Sequence, residues 1–213
     1  MAVTHVPDAR EGWVELLVSG LTFDLVGLNP AAVKPLAEPQ FRFGLARDFD
    51  PQGTEPITLV PGPHLRSSVP VLPVVRSMAG LAANIALPLG AKAICWNPVC
   101  AWSEPGYFAR VALDWIAGGP FPALGMTGIF HASDGTVTTR GLSYFAGHDL
   151  VVEARENETP AQTAKLAVRL IDYVVRYGAI RENRMIAGVA DEVMKAQPAA
   201  DGSFVRVVRD MKA

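Results

Sequence analysis

Short runs of apolar residues separated by prolines occupy the first third of the chain. The runs are rich in β-branched and aromatic residues and end at residues that break regular structure, a pattern typical of strands. The predicted strands cover residues 13–18, 23–28, 41–45 and 57–60. Residues 1–66 are therefore expected to form a proline-rich and less regular N-terminal part of the fold.

Farther along the chain the apolar residues recur every three or four positions, as they do on the buried face of a helix. The predicted helices cover residues 73–87, a segment capped near Ser103, residues 160–177 and, more weakly, residues 188–196. The third of these is the best defined, because Thr159 and Gln162 can form a capping box ahead of it. Pro160 occupies its first position and Gly178 follows its last one, as expected at helix ends.

The other apolar runs predict strands at residues 91–96, 123–132, 136–145, 149–154 and 204–208. Between two of them, Asp134 and Gly135 form a dipeptide that favours a hairpin turn. The order of strands and helices indicates an α+β fold. We expect a single domain of residues 1–213, in which helices pack on one face of a mixed, mainly antiparallel sheet.

The amino-acid composition limits the kinds of molecule that the protein is expected to bind. Of the 213 residues, 50% are hydrophobic and 19% are charged, and the net charge is −2. Such a chain has enough apolar area to bury a core, and it lacks the basic balance that nucleic-acid binding requires. The scarcity of charge predicts an apolar interface with a second copy of the chain or with another protein. A compact monomer with an alanine- and valine-rich core is the alternative.

The sequence also bears on location. The uncharged stretch between Arg76 and Lys92 holds fifteen residues, fewer than the roughly 20 that a membrane span needs. The N-terminus lacks the basic and apolar regions of a signal peptide. Two cysteines without a secretory signal indicate reduced thiols and a cytoplasmic protein. The short apolar stretch predicts no membrane partner.

Several local enzyme signatures are absent from the sequence, among them the G-x-S-x-G, Walker A, G-x-G-x-x-G and H-E-x-x-H motifs. Cys95, Cys100, His131 and His148 are the residues that could bind zinc, but their spacing is not that of a zinc site. We therefore expect no metal and no cofactor. These observations favour a protein that is not an enzyme.

Histidines and carboxylates lie close together in sequence within the predicted meander. The candidate ligand contacts there are His131, Arg140, His148 and Asp149. A histidine beside a carboxylate is the minimum equipment for general base catalysis. No evident nucleophile accompanies them, although three hydroxyl residues lie near in sequence. The structural alternative is that Asp134 serves the turn and that the pair at 148–149 starts a strand.

Further candidates lie upstream. His64 and Arg66 lie in a loop before the first helix, where an anion can bind backbone N–H groups, although most such loops only cap a helix. Arg76 sits in an apolar helix, where its side chain extends to the surface or pairs with an acid. Trp102 belongs to an aromatic cluster that either lines a pocket or forms a corner of the core, and it is the tryptophan expected to be most exposed.

Two stretches resemble a known family. The first runs from Thr139 through Gly141, Leu142 and Phe145 to Asp149, and the second covers residues 166–180. Together they resemble the uncharacterised bacterial family catalogued as domain of unknown function 4261, over about residues 57–210. The chain differs from the family after residue 180, where it has Glu-Asn in place of an acidic-glycine pair and a methionine in place of a threonine. The resemblance implies an α+β bacterial cytoplasmic protein and supplies no activity.

These observations favour a non-enzymatic bacterial protein-interaction or accessory protein. The alternative is a small-molecule-binding protein or an enzyme whose site lies near the 61–68 loop, the 96–107 corner and the 131–149 meander. The candidate ligand contacts for that alternative are His64, Arg66, Arg76, Trp102, His131, Arg140, His148 and Asp149.

Overall fold

The computed structural model describes residues 1–29, 36–66, 71–188 and 192–209. The chain forms two compact units. The first consists of Met1–Cys95 and Trp102–Gly119, and the second of Trp96–Ala101 and Pro120–Ala213. Within the described ranges there are six helices and thirteen strands, and all but one of the strand pairs whose direction is defined are antiparallel. The α+β class is thus confirmed, although the strands are distributed over three sheets.

The first unit has a four-stranded antiparallel sheet built from the proline-rich N-terminal part. Its strands, in spatial order, are β1 (Ala2–His5), β2 (Trp13–Val18), β3 (Leu21–Val26) and β5 (Thr58–Pro61). The short strands β4 (Phe41–Phe43), β7 (Ala101–Ser103) and β6 (Ile94–Trp96) form a second sheet in that order. Leu16, Phe23 and Leu25 are buried in the core of this unit.

Three helices complete the first unit: α1 (Pro63–Arg66), α2 (Leu72–Ala86) and α3 (Pro105–Ile116). Helix α2 packs against α3 and against β3 and β5. Glu104, rather than the predicted Ser103, caps α3, and its carboxylate accepts hydrogen bonds from the N–H groups of Gly106 and Tyr107. The prediction was wrong because Ser103 is the last residue of β7 and is buried there.

The second unit is built on a six-stranded sheet. The chain forms, in sequence, α4 (Ala123–Met126), β8 (Gly128–His131), β9 (Val137–Arg140), α5 (Ser143–Ala146), β10 (Asp149–Val152), α6 (Pro160–Tyr177), β11 (Arg184–Ala187), β12 (Val193–Pro198) and β13 (Phe204–Arg209). The spatial order is β11-β12-β13-β10-β9-β8. Only β10 and β13 pair in parallel, and α6 packs against β9 and β10.

Helix α6 confirms the prediction for residues 160–177 at both ends. The capping box of Thr159 and Gln162 is present at its start, and Gly178 follows its end with a φ of 94°. One face of the helix is buried; it carries Thr163, Leu166, Ala167, Leu170, Ile171, Val174 and Val175. Burying a leucine, isoleucine or valine side chain contributes about 1.5–3 kcal/mol to the stability of the fold. This buried face therefore holds α6 against its sheet.

The structure differs from the predicted elements in the second half of the chain. The strands predicted at 123–132 and 136–145 are shortened by the turns α4 and α5, the latter because Gly141 adopts a φ of 81° and turns the chain out of β9. The helix predicted at 188–196 is wrong where the chain is described: residues 193–198 form β12, paired on both sides. Residues 189–191 lie outside the described part of the chain.

The strand predicted to close the fold occupies the middle of the sheet instead. β13 lies between β12 and β10 and pairs with β10 in parallel. Val205 and Val207 are almost completely buried, as expected for a central strand. None of the helices in the described ranges combines the length and the apolar character that crossing a bilayer requires.

Candidate functional site

The eight candidate residues are divided between the two units. His64, Arg66, Arg76 and Trp102 belong to the first unit, and His131, Arg140, His148 and Asp149 belong to the second.

The loop near residue 64 offers little to a ligand. His64 is exposed in α1, a helix of four residues. So short a helix lacks the aligned peptide dipoles that draw an anion to the start of a longer one. The backbone of Arg66 ends α1, whereas its side chain and Ser67 and Ser68 lie outside the described part of the chain.

Arg76 has a structural role that the sequence did not indicate. Its Nη2 donates hydrogen bonds to the carbonyl oxygens of Trp115 and Ile116, at 3.1 and 3.0 Å. The guanidinium group also lies 5.1 Å from the centre of the Trp115 ring. Carbonyl groups at the end of a helix lack intrahelical partners and carry partial negative charge. Arg76 therefore caps the C-terminus of α3. Its guanidinium group is engaged by contacts within the fold.

Trp102 is buried, with 4% of its surface exposed, contrary to the expectation that it is the most exposed tryptophan. Its ring lies 6.2 Å from that of Phe49 in a tilted contact. Trp96 and Trp115 are buried as well. Large aromatic side chains contribute strongly to core stability. These three tryptophans thus belong to the cores of their units, as in the alternative that the cluster forms a corner of the core.

The meander residues do not converge on a reaction centre. His131 is exposed at the end of β8, the edge strand, where it lies opposite Val137. Arg140 is exposed at the far end of the same hairpin, and its guanidinium group lies 4.8 Å from the centre of the Phe130 ring. The two side chains are three residues apart along the strands, which corresponds to about 10 Å.

Asp149 is the centre of a hydrogen-bond network that holds the chain together. Its Oδ1 accepts hydrogen bonds from the Thr139 hydroxyl at 2.9 Å and from the N–H of Leu142 at 3.0 Å. The Thr139 hydroxyl in turn accepts a hydrogen bond from the N–H of Leu150 at 2.8 Å. The carboxylate thus ties β10 to β9 and to the start of α5. The same contacts engage Thr139, one of the hydroxyl residues near the histidines.

His148 is buried and uses both ring nitrogens within the fold. Nε2 accepts a hydrogen bond from the N–H of Ile180 at 3.0 Å, so Nδ1 carries the proton and donates to the Asp149 carbonyl at 3.1 Å. Burial lowers the pKa of His148 below its ordinary value of 6.5, although the contacts with Asp149 oppose this shift. A neutral imidazole engaged at both nitrogens cannot serve as a general base without breaking these bonds.

The arrangement predicts a pH dependence of stability. Because the pKa of His148 is lowered on folding, the unfolded chain binds a proton more readily below pH 6.5. The stability from the neutral ring is present above the unfolded pKa and is lost as the pH falls below it. In thermal unfolding, we expect the melting temperature to fall from pH 7.5 to 5 and this fall to be smaller in His148→Gln. The same pH response in both proteins would contradict this role, since the other histidines are exposed.

The motif that carried the family resemblance also has a structural explanation. Leu142 is completely buried, and Phe145 packs edge-to-face on Phe121 at 4.8 Å. A Cβ at Gly141 would lie 2.4 Å from Cγ1 of Val99, so the close approach of the backbone requires glycine. The motif specifies how the chain turns between β9 and β10.

A buried cluster of charges lies where β13 ends and α6 begins. No local pattern in the sequence indicates it. Both guanidinium nitrogens Nη1 and Nη2 of Arg209 contact the Glu158 carboxylate, and Nη2 also donates to the Glu153 carbonyl at 3.0 Å. The Thr163 hydroxyl donates to Glu158 at 3.0 Å. The Arg209 contact lowers the pKa of Glu158 to about 2. Since the Glu158 carboxylate and the Nη1 and Nη2 groups of Arg209 bond to each other and to the fold, this cluster is structural.

Two tyrosines and an arginine contact one another at the surface, at the C-terminal end of α6 and on β11. Tyr173 and Tyr177 lie four residues apart on the helix, with ring centres 5.0 Å apart. Arg184 stands 5.5 Å over the Tyr173 ring and donates a hydrogen bond to its hydroxyl. Tyr177 is 69% exposed. We call Tyr173, Tyr177 and Arg184 the tyrosine–arginine surface.

This surface has a composition typical of protein interfaces, in which tyrosine and arginine are enriched and which they often dominate energetically. The mutual contacts also hold the side chains in place, which reduces the entropy lost on binding. The sequence contained one signal of it: two tyrosines four residues apart near the end of a predicted helix. Their contact with Arg184 depends on the tertiary structure.

In the described ranges, no group of three or more histidine, cysteine, aspartate or glutamate side chains is arranged to hold a metal ion. Comparison with known proteins finds no match to a protein-family model, to a curated protein or to a solved structure. The resemblance to domain of unknown function 4261 therefore stays a prediction. The tyrosine–arginine surface is therefore the candidate functional site.

Proposed function

We propose that this protein is a non-enzymatic protein-interaction protein that binds a partner protein through the tyrosine–arginine surface. The observation that carries the proposal is the Tyr173–Tyr177–Arg184 contact at the surface, in which Tyr177 and Arg184 are exposed. Two of the residues that would favour catalysis, His148 and Asp149, are instead engaged by hydrogen bonds with the backbone. That engagement supports a binding role over the alternative of an enzyme.

The charge around the surface supports a partner other than a second copy. Four arginines and two acidic residues give residues 169–184 a net charge of +2, whereas the whole chain carries −2. Two copies meeting here would bring like charges together, which is unfavourable. A homodimer through another surface stays a prediction, as do the bacterial origin and the cytoplasmic location. No disulfide joins Cys95 and Cys100 within the described part of the chain, which is consistent with that location.

The test is site-specific photo-crosslinking in cells that produce the protein. A benzophenone amino acid replaces Tyr177 in one variant and Lys165 in the control, since both residues are exposed on α6. We expect one crosslinked product from position 177 and none from position 165. The crosslinked protein is then identified by mass spectrometry, purified, and its affinity for the chain is measured.

For the purified partner, we expect Tyr177→Ala to weaken binding at least tenfold, because interface tyrosines of this kind typically contribute more than about 1.4 kcal/mol. Lys165→Ala is expected to leave binding unchanged. Both variants should melt like the wild type, since the replaced side chains are exposed. Equal crosslinking from both positions, or unchanged affinity of Tyr177→Ala, would overturn the proposal.

A further inference from the structure

The outer edge of β11 is unpaired by any strand in the described ranges. The strand lies first in the order of the six-stranded sheet, and β12 occupies its inner side. Strand edges carry rows of backbone donors and acceptors that can pair with another chain. Arg184, Met185 and Ala187 are exposed, Met185 by 54%, so an incoming segment can reach this edge.

The register of the hairpin determines which backbone groups point outward. Gly188 donates a hydrogen bond to the Glu192 carbonyl at 2.6 Å, which makes these two residues a hydrogen-bonded pair. Hydrogen-bonded and non-hydrogen-bonded pairs alternate along an antiparallel ladder. Met185 and Ala187, which lie opposite Lys195 and Val193, are therefore in non-hydrogen-bonded positions. Their N–H and C=O groups point to the outer edge.

The side chains give the two faces of this edge different chemistry. Arg184 and the buried Ile186 lie on the side of α6, where Arg184 contacts Tyr173. Met185 and Ala187 lie on the opposite side, because successive side chains in a strand alternate. Arg184 forms no salt bridge within the described part of the chain. One face of the edge therefore carries Arg184, and the other carries Met185 and Ala187, with the exposed Lys195 opposite Met185 on β12.

We infer that the outer edge of β11 binds an extended segment of a partner protein in which acidic and apolar residues alternate. The segment adds a seventh strand to the sheet, with its backbone bonded to Met185 and Ala187. Its acidic side chains face Arg184, and its apolar side chains lie beside Met185. This is strand addition, a known mode of peptide recognition. The inference rests on the proposed function and names the chemistry of the partner at that surface.

The experiment uses a fluorescein-labelled heptapeptide, Glu-Val-Glu-Val-Glu-Val-Glu, and measures its anisotropy with the full-length protein. We expect saturable binding of this peptide and at least tenfold weaker binding of the matched peptide in which lysine replaces glutamate. Arg184→Glu is expected to weaken binding of the acidic peptide at least tenfold. In hydrogen exchange, the amides of Met185 and Ala187 should become protected when the peptide is bound.

The decisive variant is Met185→Pro. Proline removes the outward N–H but none of the hydrogen bonds to β12, and prolines are tolerated at such edge positions. We expect it to weaken peptide binding at least tenfold, whereas Met185→Ala, which retains the N–H, weakens it less than threefold. A melting temperature within a few degrees of the wild type would show that Met185→Pro folds. If it does not fold, the exchange of the Met185 and Ala187 amides in the wild type decides the question.

The results separate the inference from the proposed function. Absence of peptide binding, or binding unchanged by Met185→Pro in a folded protein, overturns strand addition. So does a failure of the peptide to protect the Met185 and Ala187 amides. The crosslinking at Tyr177 tests the proposed function independently, because it does not presuppose an extended or acidic partner.

Discussion

Arg209→Met is expected to lower the free energy of unfolding by about 3–5 kcal/mol, the usual cost of removing one partner from a buried ion pair. The side chain of Arg209 is only 5% exposed, and that of Glu158 is 13% exposed. Without the arginine, the Glu158 carboxylate stays in the fold with the Thr163 hydroxyl and the Arg155 N–H as its remaining donors. Urea denaturation followed by circular dichroism measures the change.

The control for this prediction lies on the same strand. Arg206 pairs with Glu153 at 2.6 Å, but both side chains are substantially exposed, so Arg206→Met is expected to cost less than about 1 kcal/mol. Replacing both Arg209 and Glu158 by apolar residues should restore part of the stability lost in Arg209→Met, because the unpaired charge is then absent. Equal losses in the variants at 206 and 209 would contradict the buried role.

The same pair determines how the protein responds to acid. Glu158 has a pKa of about 2 in the folded protein, lowered from 4.5 by Arg209. Its contribution is therefore present above pH 4.5 and is lost as the pH falls from 4.5 towards 2. This window lies below that of His148, so the two groups can be distinguished in one pH series. In Arg209→Met the loss between pH 4.5 and 2 should be smaller.

Gly141→Ala is expected to lower the free energy of unfolding by about 3 kcal/mol, through two separate costs. A non-glycine residue at a φ of 81° costs about 1–2 kcal/mol. The added Cβ would also lie 2.4 Å from Cγ1 of the buried Val99, and such overpacking costs about 1–3 kcal/mol. Chemical denaturation of the purified variant gives the total.

Two further variants separate these costs. Gly147 has a φ of 78°, but a Cβ there would meet no atom within 4 Å. Gly147→Ala should therefore show only the backbone cost, about 1–2 kcal/mol. Combining Gly141→Ala with Val99→Ala removes the atom that the new Cβ meets. The double variant should then lose less stability than the sum of the two single variants; additive losses would show that the contact with Val99 relaxes without cost.

The elements that were correctly predicted are those whose signals are local. Helix α6 has a cap at Thr159, proline at its first position and a single apolar face, so all three signals agree over eighteen residues. The hairpin at Asp134 is similar, because its turn residues act within the loop itself. No comparable set of local signals marks residues 193–198. Valine, methionine, lysine and alanine there are compatible with a helix, and pairing with β11 and β13 makes the segment a strand.

The candidate site was less predictable, because each contact that defines it joins residues distant in sequence. His148 accepts the Ile180 N–H across 32 positions, and Arg209 reaches Glu158 across 51. The sequence shows that these side chains can carry charge. It does not indicate whether they form hydrogen bonds or ion pairs within the fold. Tyr173 and Tyr177 were visible as a helical pair, yet their exposure and their contact with Arg184 follow from the packing of α6 and β11.

The amino-acid sequence alone establishes the α+β class, the length of α6 and the turn chemistry, because helix periodicity, capping and hairpin dipeptides act over a few residues. The tertiary structure decides the central position of β13, the neutral state of His148 and the outward direction of the Met185 and Ala187 backbone groups. Each of these depends on which distant segment supplies the neighbouring hydrogen bond. Long-range pairing is selected by the burial of the whole core, which no local pattern encodes.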